Sequence, residues 1–91
     1  MPEIILDSVK GNRTLAVPER VHRVMRVVAR RRGVDLTALI IANDRKTKAA
    51  RREAMRLIRD EIRIAGKPPS PARVGSWFGV SDWPVLAAWR S

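Results

Sequence analysis

The stretch Val74-Gly75-Ser76-Trp77-Phe78-Gly79-Val80-Ser81-Asp82-Trp83-Pro84-Val85-Leu86-Ala87-Ala88-Trp89 decides the fold. Its apolar and glycine positions have the spacing of a helix-turn-helix. Val74 takes an inward position in a first helix, Gly79 permits the turn, and Val80 fills the space between the two helices. Val85 and Trp89 recur at helical spacing and bury the second helix, with Ser81 at its N-cap. Pro84 falls third in that helix, where a missing N–H loses no intrahelical partner. Such a unit places the start of its second helix in a DNA major groove. An ordinary helical hairpin has the same spacing, so the surrounding sequence and its charge must decide between the two.

Upstream, Ser70 caps a helix that has Pro71 at its first position and runs to Phe78. Gly66-Lys67-Pro68-Pro69 ends a longer helix, predicted from about Ala49 to Ala65. Its inward stripe is Ala50, Ala54, Leu57, Ile58, Ile62 and Ala65. Arg52, Arg56, Arg59 and Arg63 line a second face, partly offset by Glu53, Asp60 and Glu61, which reads as mainly structural. The polar, basic run Asn43-Asp44-Arg45-Lys46-Thr47-Lys48 reads as a loop. Asp35 is the expected N-cap of a short helix from Leu36 to about Ala42, with Leu36, Leu39 and Ile40 inward. Pro18 opens a further helix that stops at Gly33. Val17, Val21, Val24, Met25 and Val28 share one face, and Arg20, Arg23, Arg26, Arg30 and Arg31 cover the others. Before it, Glu3–Val9 and Arg13–Val17 flank Lys10-Gly11-Asn12 and predict a β-hairpin or ordered arm that must pack on the helices or on a twin chain. The expected architecture is mainly all-α: a compact helical bundle with a C-terminal helix-turn-helix at 18–91 and a short N-terminal hairpin or extended arm at 1–17.

The composition narrows the function. The 91 residues carry 19 Lys+Arg against 9 Asp+Glu, a net charge of +10, and the simplest partner for that charge is a polyanion, most often nucleic acid. The absence of cysteine excludes disulfides, thiolate zinc sites and thiol catalysis. His22 stands alone without clustered carboxylates, so no metal is expected. No Ser–His–Asp frame and no phosphate-cradling Gly-x-x-x-x-Gly-Lys-Ser/Thr loop occur, so neither an enzyme nor a cofactor is expected. The apolar runs Leu36–Ala42 and Val74–Val80 are far shorter than the ~20 residues of a membrane span. The start of the chain does not read as a signal peptide, and the expected location is the cytoplasm, on the nucleoid.

From about Val21 to Arg90 the chain resembles the C-terminal DNA-binding domain of DnaA, the bacterial replication initiator. The resemblance lies in an ordered series: Leu39-Ile40, then Arg45-Lys46-Thr47-Lys48, Ala50-Arg51, Val74-Gly75-Ser76-Trp77-Phe78-Gly79 and Val80-Ser81-Asp82-Trp83-Pro84-Val85. It implies that Arg45, supported by Lys46 and Lys48, enters a minor groove from a basic loop. It implies that Arg51 binds phosphate with backbone N–H groups, and that Asp82 accepts a hydrogen bond from a cytosine amino group. The family's signature arginine is Ser81 here, its histidine is Trp83 and its threonines shrink to Pro84, so recognition of the usual DnaA box is expected to be weakened or altered. Trp83 either meets a thymine methyl or serves as a core or dimer contact; Trp77 and Trp89 read as core. The family's ATPase domain has no counterpart in this sequence.

The expected DNA-binding set is therefore Arg45, Lys46, Lys48, Arg51, Ser81, Asp82 and Trp83. The expected partners are double-stranded DNA, a second copy through the N-terminal arm, and DnaA or another replication protein, with a role in replication initiation or transcription. Three other readings stand beside this one: a generic helix-turn-helix transcription regulator, an interaction protein that binds an acidic host protein such as DnaA, and RNA binding by the arginine-rich helix.

Overall fold

The hairpin-to-helix junction is built by one proline. The structure, a computed structural model, describes residues 3–9 and 13–90; the Lys10-Gly11-Asn12 turn lies outside them. Strands β1 (Glu3–Val9) and β2 (Arg13–Pro18) pair antiparallel, with Ile4 opposite Val17 and Leu6 opposite Leu15, and an irregularity follows Leu6. Paired residues share a face, so these two pairs turn inward: Leu15 and Val17 are buried and Leu6 packs against the core. Ile5 and Ala16 fall on the other face and are exposed. The hairpin is thus part of the same hydrophobic core as the helices, not an arm apart from it. Pro18 ends β2 and stands as the N-cap of helix α1 (Glu19–Arg32), one position earlier than the sequence reading placed it.

α1 buries Val21, Met25, Val28 and Ala29 and ends at Gly33, which has φ 69°. Val34 N–H donates to Ala29 O at 2.9 Å and Gly33 N–H to Arg30 O at 3.2 Å, the paired bonds of a Schellman motif. Helix α2 (Leu36–Ile41) follows at once and buries Leu39 and Ile40. Asp35 holds its N-cap position, but its side chain makes no capping bond.

Helix α3 runs Arg45–Glu61, a whole turn earlier than predicted. The basic run is therefore not a loop. Asp44 accepts hydrogen bonds from Thr47 N–H at 3.0 Å and Thr47 Oγ1 at 2.7 Å, and this cap starts the helix inside the basic run. The other end moves with it: Ile62 is the C-cap, and Ala65 lies outside the helix and exposed. Ile64 and Lys67 exchange backbone bonds of 2.7 and 3.1 Å around Ala65 (φ 53°) and Gly66 (φ 81°), which makes a tight turn of type I′.

Helices α4 (Pro71–Phe78) and α5 (Asp82–Arg90) complete the chain. α3 meets α1, α2 and α5, α4 meets α5, and β2 meets both α1 and α4. Phe78, Val74, Val85 and Ala88 join Ala50, Ala54, Met55 and Ile58 of α3 in one core. Mainly helical architecture with an N-terminal hairpin is what the sequence predicts. No helix among the described residues is long and apolar enough to cross a membrane.

A non-glycine residue in the left-handed region costs roughly 1–2 kcal/mol, and asparagine tolerates it best. Ala65→Asn is expected to raise stability by about 1 kcal/mol. Urea unfolding at equilibrium measures this, and an unchanged midpoint would show that the turn carries no such strain.

Candidate nucleic-acid interface

The Asp44 cap decides where the basic residues stand. It puts Arg45, Lys46 and Lys48 on the first turns of α3, all exposed. Cations at a helix N-terminus oppose the macrodipole, whose positive end lies there. The hydrogen bonds from Thr47 hold the Asp44 carboxyl below its ordinary pKa, with Lys46 a smaller cause. The cap's contribution is complete above the ordinary aspartate range and is lost as pH falls through the lowered value.

Along its length α3 separates its charges. On one edge, Glu53 pairs with Arg31 and Arg32 of α1, each at 2.6 Å. Leu57 and Glu61 continue that edge and line a groove with Arg23, Val24 and Val27. On the other edge, Lys48, Arg51, Arg52 and Met55 face Pro84 and Ala87 of α5 across a cleft of about 260 Å³. Arg59 extends this second edge; its guanidinium lies 5.9 Å from the Trp89 ring and donates to Trp89 O at 3.2 Å. Trp89 Nε1 donates to Met55 O at 2.9 Å, so the indole latches the end of α5 to the middle of α3.

The α4–α5 unit is fixed by close approach. Ser70 Oγ accepts from Arg73 N–H at 3.2 Å at the start of α4, and Gly79 (φ 70°) ends it. Val80 N–H donates to Gly75 O at 2.9 Å and Gly79 N–H to Ser76 O at 3.3 Å, the same paired motif that ends α1. The turn folds back so tightly that a Cβ on Gly75 would lie 2.5 Å from Ser81 O and 2.7 Å from Val80 O. Trp77 is buried as expected, and Trp89 is half-buried. Ser81, Asp82 and Trp83 all stand exposed at the start of α5. Trp83 is 65% exposed, which removes it from the core, and Arg90 sits 6.0 Å from its ring.

The predicted residues thus divide. Lys48 lines the cleft with Pro84 and Ala87 of α5; Ser81 directly precedes that helix, and Asp82 and Trp83 are its first two residues. Arg45 is exposed at the first position of α3. Lys46 instead leans toward the end of α1, its Nζ 3.6 Å from where a Cβ on Gly33 would be. Arg51 departs most from expectation. Its Nε donates to Leu39 O at 2.7 Å and a terminal nitrogen donates to Ala42 O, so the guanidinium satisfies the carbonyl end of α2. Burial lowers its pKa from the usual arginine value. It braces the site from behind. The sequence reading missed Arg52, treated as part of a structural face; its spacing four residues after Lys48 was the available signal.

Compared with family models, curated proteins and solved structures, the chain matches none.

Two outcomes follow from this geometry. Arg51→Ala removes charge-assisted bonds to two carbonyls and is expected to cost about 1.5–3 kcal/mol of stability, read as a fall in the urea midpoint; an unchanged midpoint would return Arg51 to the surface set. The Thr47 amide resonance should hold constant at neutral pH and shift as the solution is acidified below the ordinary aspartate range. In Asp44→Asn that titration should vanish.

Proposed function

We propose that this protein binds double-stranded DNA, with the start of α5 in the major groove and the cationic edge of α3 on the adjoining phosphates. One observation carries the reading. Lys48 and Arg52 share a cleft with Pro84 and Ala87 of α5, and the exposed, chemically varied residues Ser81, Asp82 and Trp83 directly precede that wall in the chain. Phosphates are held by the former kind of group and base edges are read by the latter. The net charge of +10 supplies the long-range attraction.

In this reading Asp82 accepts from a cytosine amino group and Trp83 offers an apolar plane to a thymine methyl. Arg45 and Lys48 approach the backbone from the first turns of α3, a helix start in place of the expected loop. The ordered likeness to the DnaA DNA-binding domain makes a role in replication initiation or transcription the reading we favour, with a site different from the usual DnaA box because Ser81, Trp83 and Pro84 replace contacting residues. In this reading these residues act by occupying sites.

Selection of bound duplexes from a random library tests this, followed by titration of the winner and a scrambled control from about 50 to 200 mM salt. A converged motif that outcompetes the control at the higher salt is expected. Lys48→Ala and Arg52→Ala should each lower the salt slope by about one and weaken all sequences alike. Asp82→Ala and Trp83→Ala should flatten the preference at one or two positions. Absence of any motif, with equal salt-sensitive binding to every duplex, would overturn sequence-specific recognition; absence of binding at low salt would overturn the DNA reading altogether.

A further inference from the structure

The function proposed above uses α5 and one edge of α3, and leaves the arginines of α1 unused. Arg20, Arg23, Arg26 and Arg30 are exposed. Their spacing of three, three and four residues sets them along one side of the helix. Their surroundings differ from those of the α3 cations. On α3, Asp60 pairs with Arg59 and the edge facing α1 carries Glu53 and Glu61. On α1, among the described residues, only Glu19 approaches an outward arginine, Arg23, at 3.8 Å. Arg31 and Arg32 are held by Glu53, whereas Arg20, Arg26 and Arg30 have no carboxylate partner among the described residues. Arg26 lies four residues before Arg30 and three after Arg23, so the stripe repels itself along the helix. The same field lowers the His22 pKa, second to burial as a cause. A merely solvated helix gains nothing from such crowding, and a row of phosphates relieves it. Every cation on this face is arginine, whose planar fork matches phosphate oxygens in pairs.

The placement of α1 matters as much as its charge. α3 lies between α1 and α5, meeting α1 along Glu53, Leu57 and Glu61 and α5 along Lys48, Arg52 and Met55. We infer that the arginine face of α1 is a second phosphate-binding surface and that one protein molecule joins two duplex segments. This rests on the proposed duplex binding at α5. With α3 between them, the axes of α1 and α5 stand up to roughly 16–20 Å apart. That exceeds the ~8 Å Debye length at physiological ionic strength, so repulsion between the two held duplexes is largely screened.

The test is a capture experiment with the full chain. A duplex carrying the selected site is fixed to beads, protein is added, and retention of a second, fluorescent duplex is measured beside affinity for a single duplex too short to hold two proteins. The wild type is expected to retain the second duplex. The triple variant R20A/R26A/R30A is expected to lose that retention by about tenfold or more and to keep its single-duplex affinity. Alanine favours helix, so the variant should keep its helical circular dichroism. Three results overturn the inference: a wild type that binds one duplex and retains no second; a triple variant that retains as the wild type does, which would assign bridging to a dimer; or equal loss of single-duplex affinity, which would place α1 on the same duplex as α5. A wild type that binds no duplex at all instead removes the underlying DNA reading, and the inference with it.

Discussion

The phase of α3 is the constraint on which the other elements depend. This helix touches α1, α2 and α5, so a rotation of one residue would move every interface at once. Its start is set by Asp44 and Thr47, and Thr47 is itself buried, which ties the cap to the core beneath it. With that start fixed, Ala50 and Ala54 turn inward, and their small side chains let neighbouring helices come close. Glu53 then meets Arg31 and Arg32, while Lys48 and Arg52 meet the α5 cleft. A single local cap thereby sets Glu53 and Glu61 on the edge toward α1 and Lys48, Arg51 and Arg52 on the edge toward α5.

The two short connections apply one solution twice. Gly33-Val34 and Gly79-Val80 each place glycine in the left-handed region, and each following valine packs against the core. A Schellman turn with its apolar plug needs no further residues, so α2 and α5 follow almost without linkers. The second copy is tighter. Gly75 is required one turn before the connection because carbonyls of Val80 and Ser81 occupy the space where any Cβ would be. The position of Ser81, Asp82 and Trp83 is thus set by backbone contact, which is stiffer than side-chain packing. In the proposed complex that stiffness would serve base contacts, which tolerate little misplacement.

Much of this architecture is legible in the residues because their local signals agree. Gly33 and Gly79 end helices, Ser70-Pro71 starts one, and the valine spacing of α1 marks its buried face. The start of α3 is not legible in the same way. Asn43 to Lys48 has loop composition, and the cap that overrides it depends on a hydroxyl and a carboxylate three residues apart within a run of cations. Ala65 misleads for the opposite reason: it continues the apolar spacing of α3, yet the neighbouring Gly66 and the Pro68-Pro69 pair draw the chain into a tight turn. In the candidate site, the exposed start of α5 follows directly from the helix-turn-helix spacing. Arg51 does not, because its partners are backbone carbonyls of α2, and no sequence pattern announces a side chain that turns to a neighbouring helix end.

The distribution of charge separates what stabilises this fold from what serves a partner. Arg31, Arg32, Arg51 and Arg59 each have a structural counterpart: Glu53 for the first two, the α2 carbonyls for the third, Asp60 and Trp89 for the fourth. Removing these four from consideration leaves cations in places where local physics disfavours them. Arg45, Lys46 and Lys48 crowd the positive end of α3, and Arg26 and Arg30 crowd each other on α1, with Arg23, paired to Glu19, beside them. Neither arrangement gains from the folded chain alone. In the proposed complex the phosphates of duplex DNA, which carry negative charge at high linear density, would offset this repulsion. The same argument accounts for Trp83. An indole left in solvent beside Arg90 adds nothing to the core, and in the proposed complex it would offer the DNA groove an apolar surface.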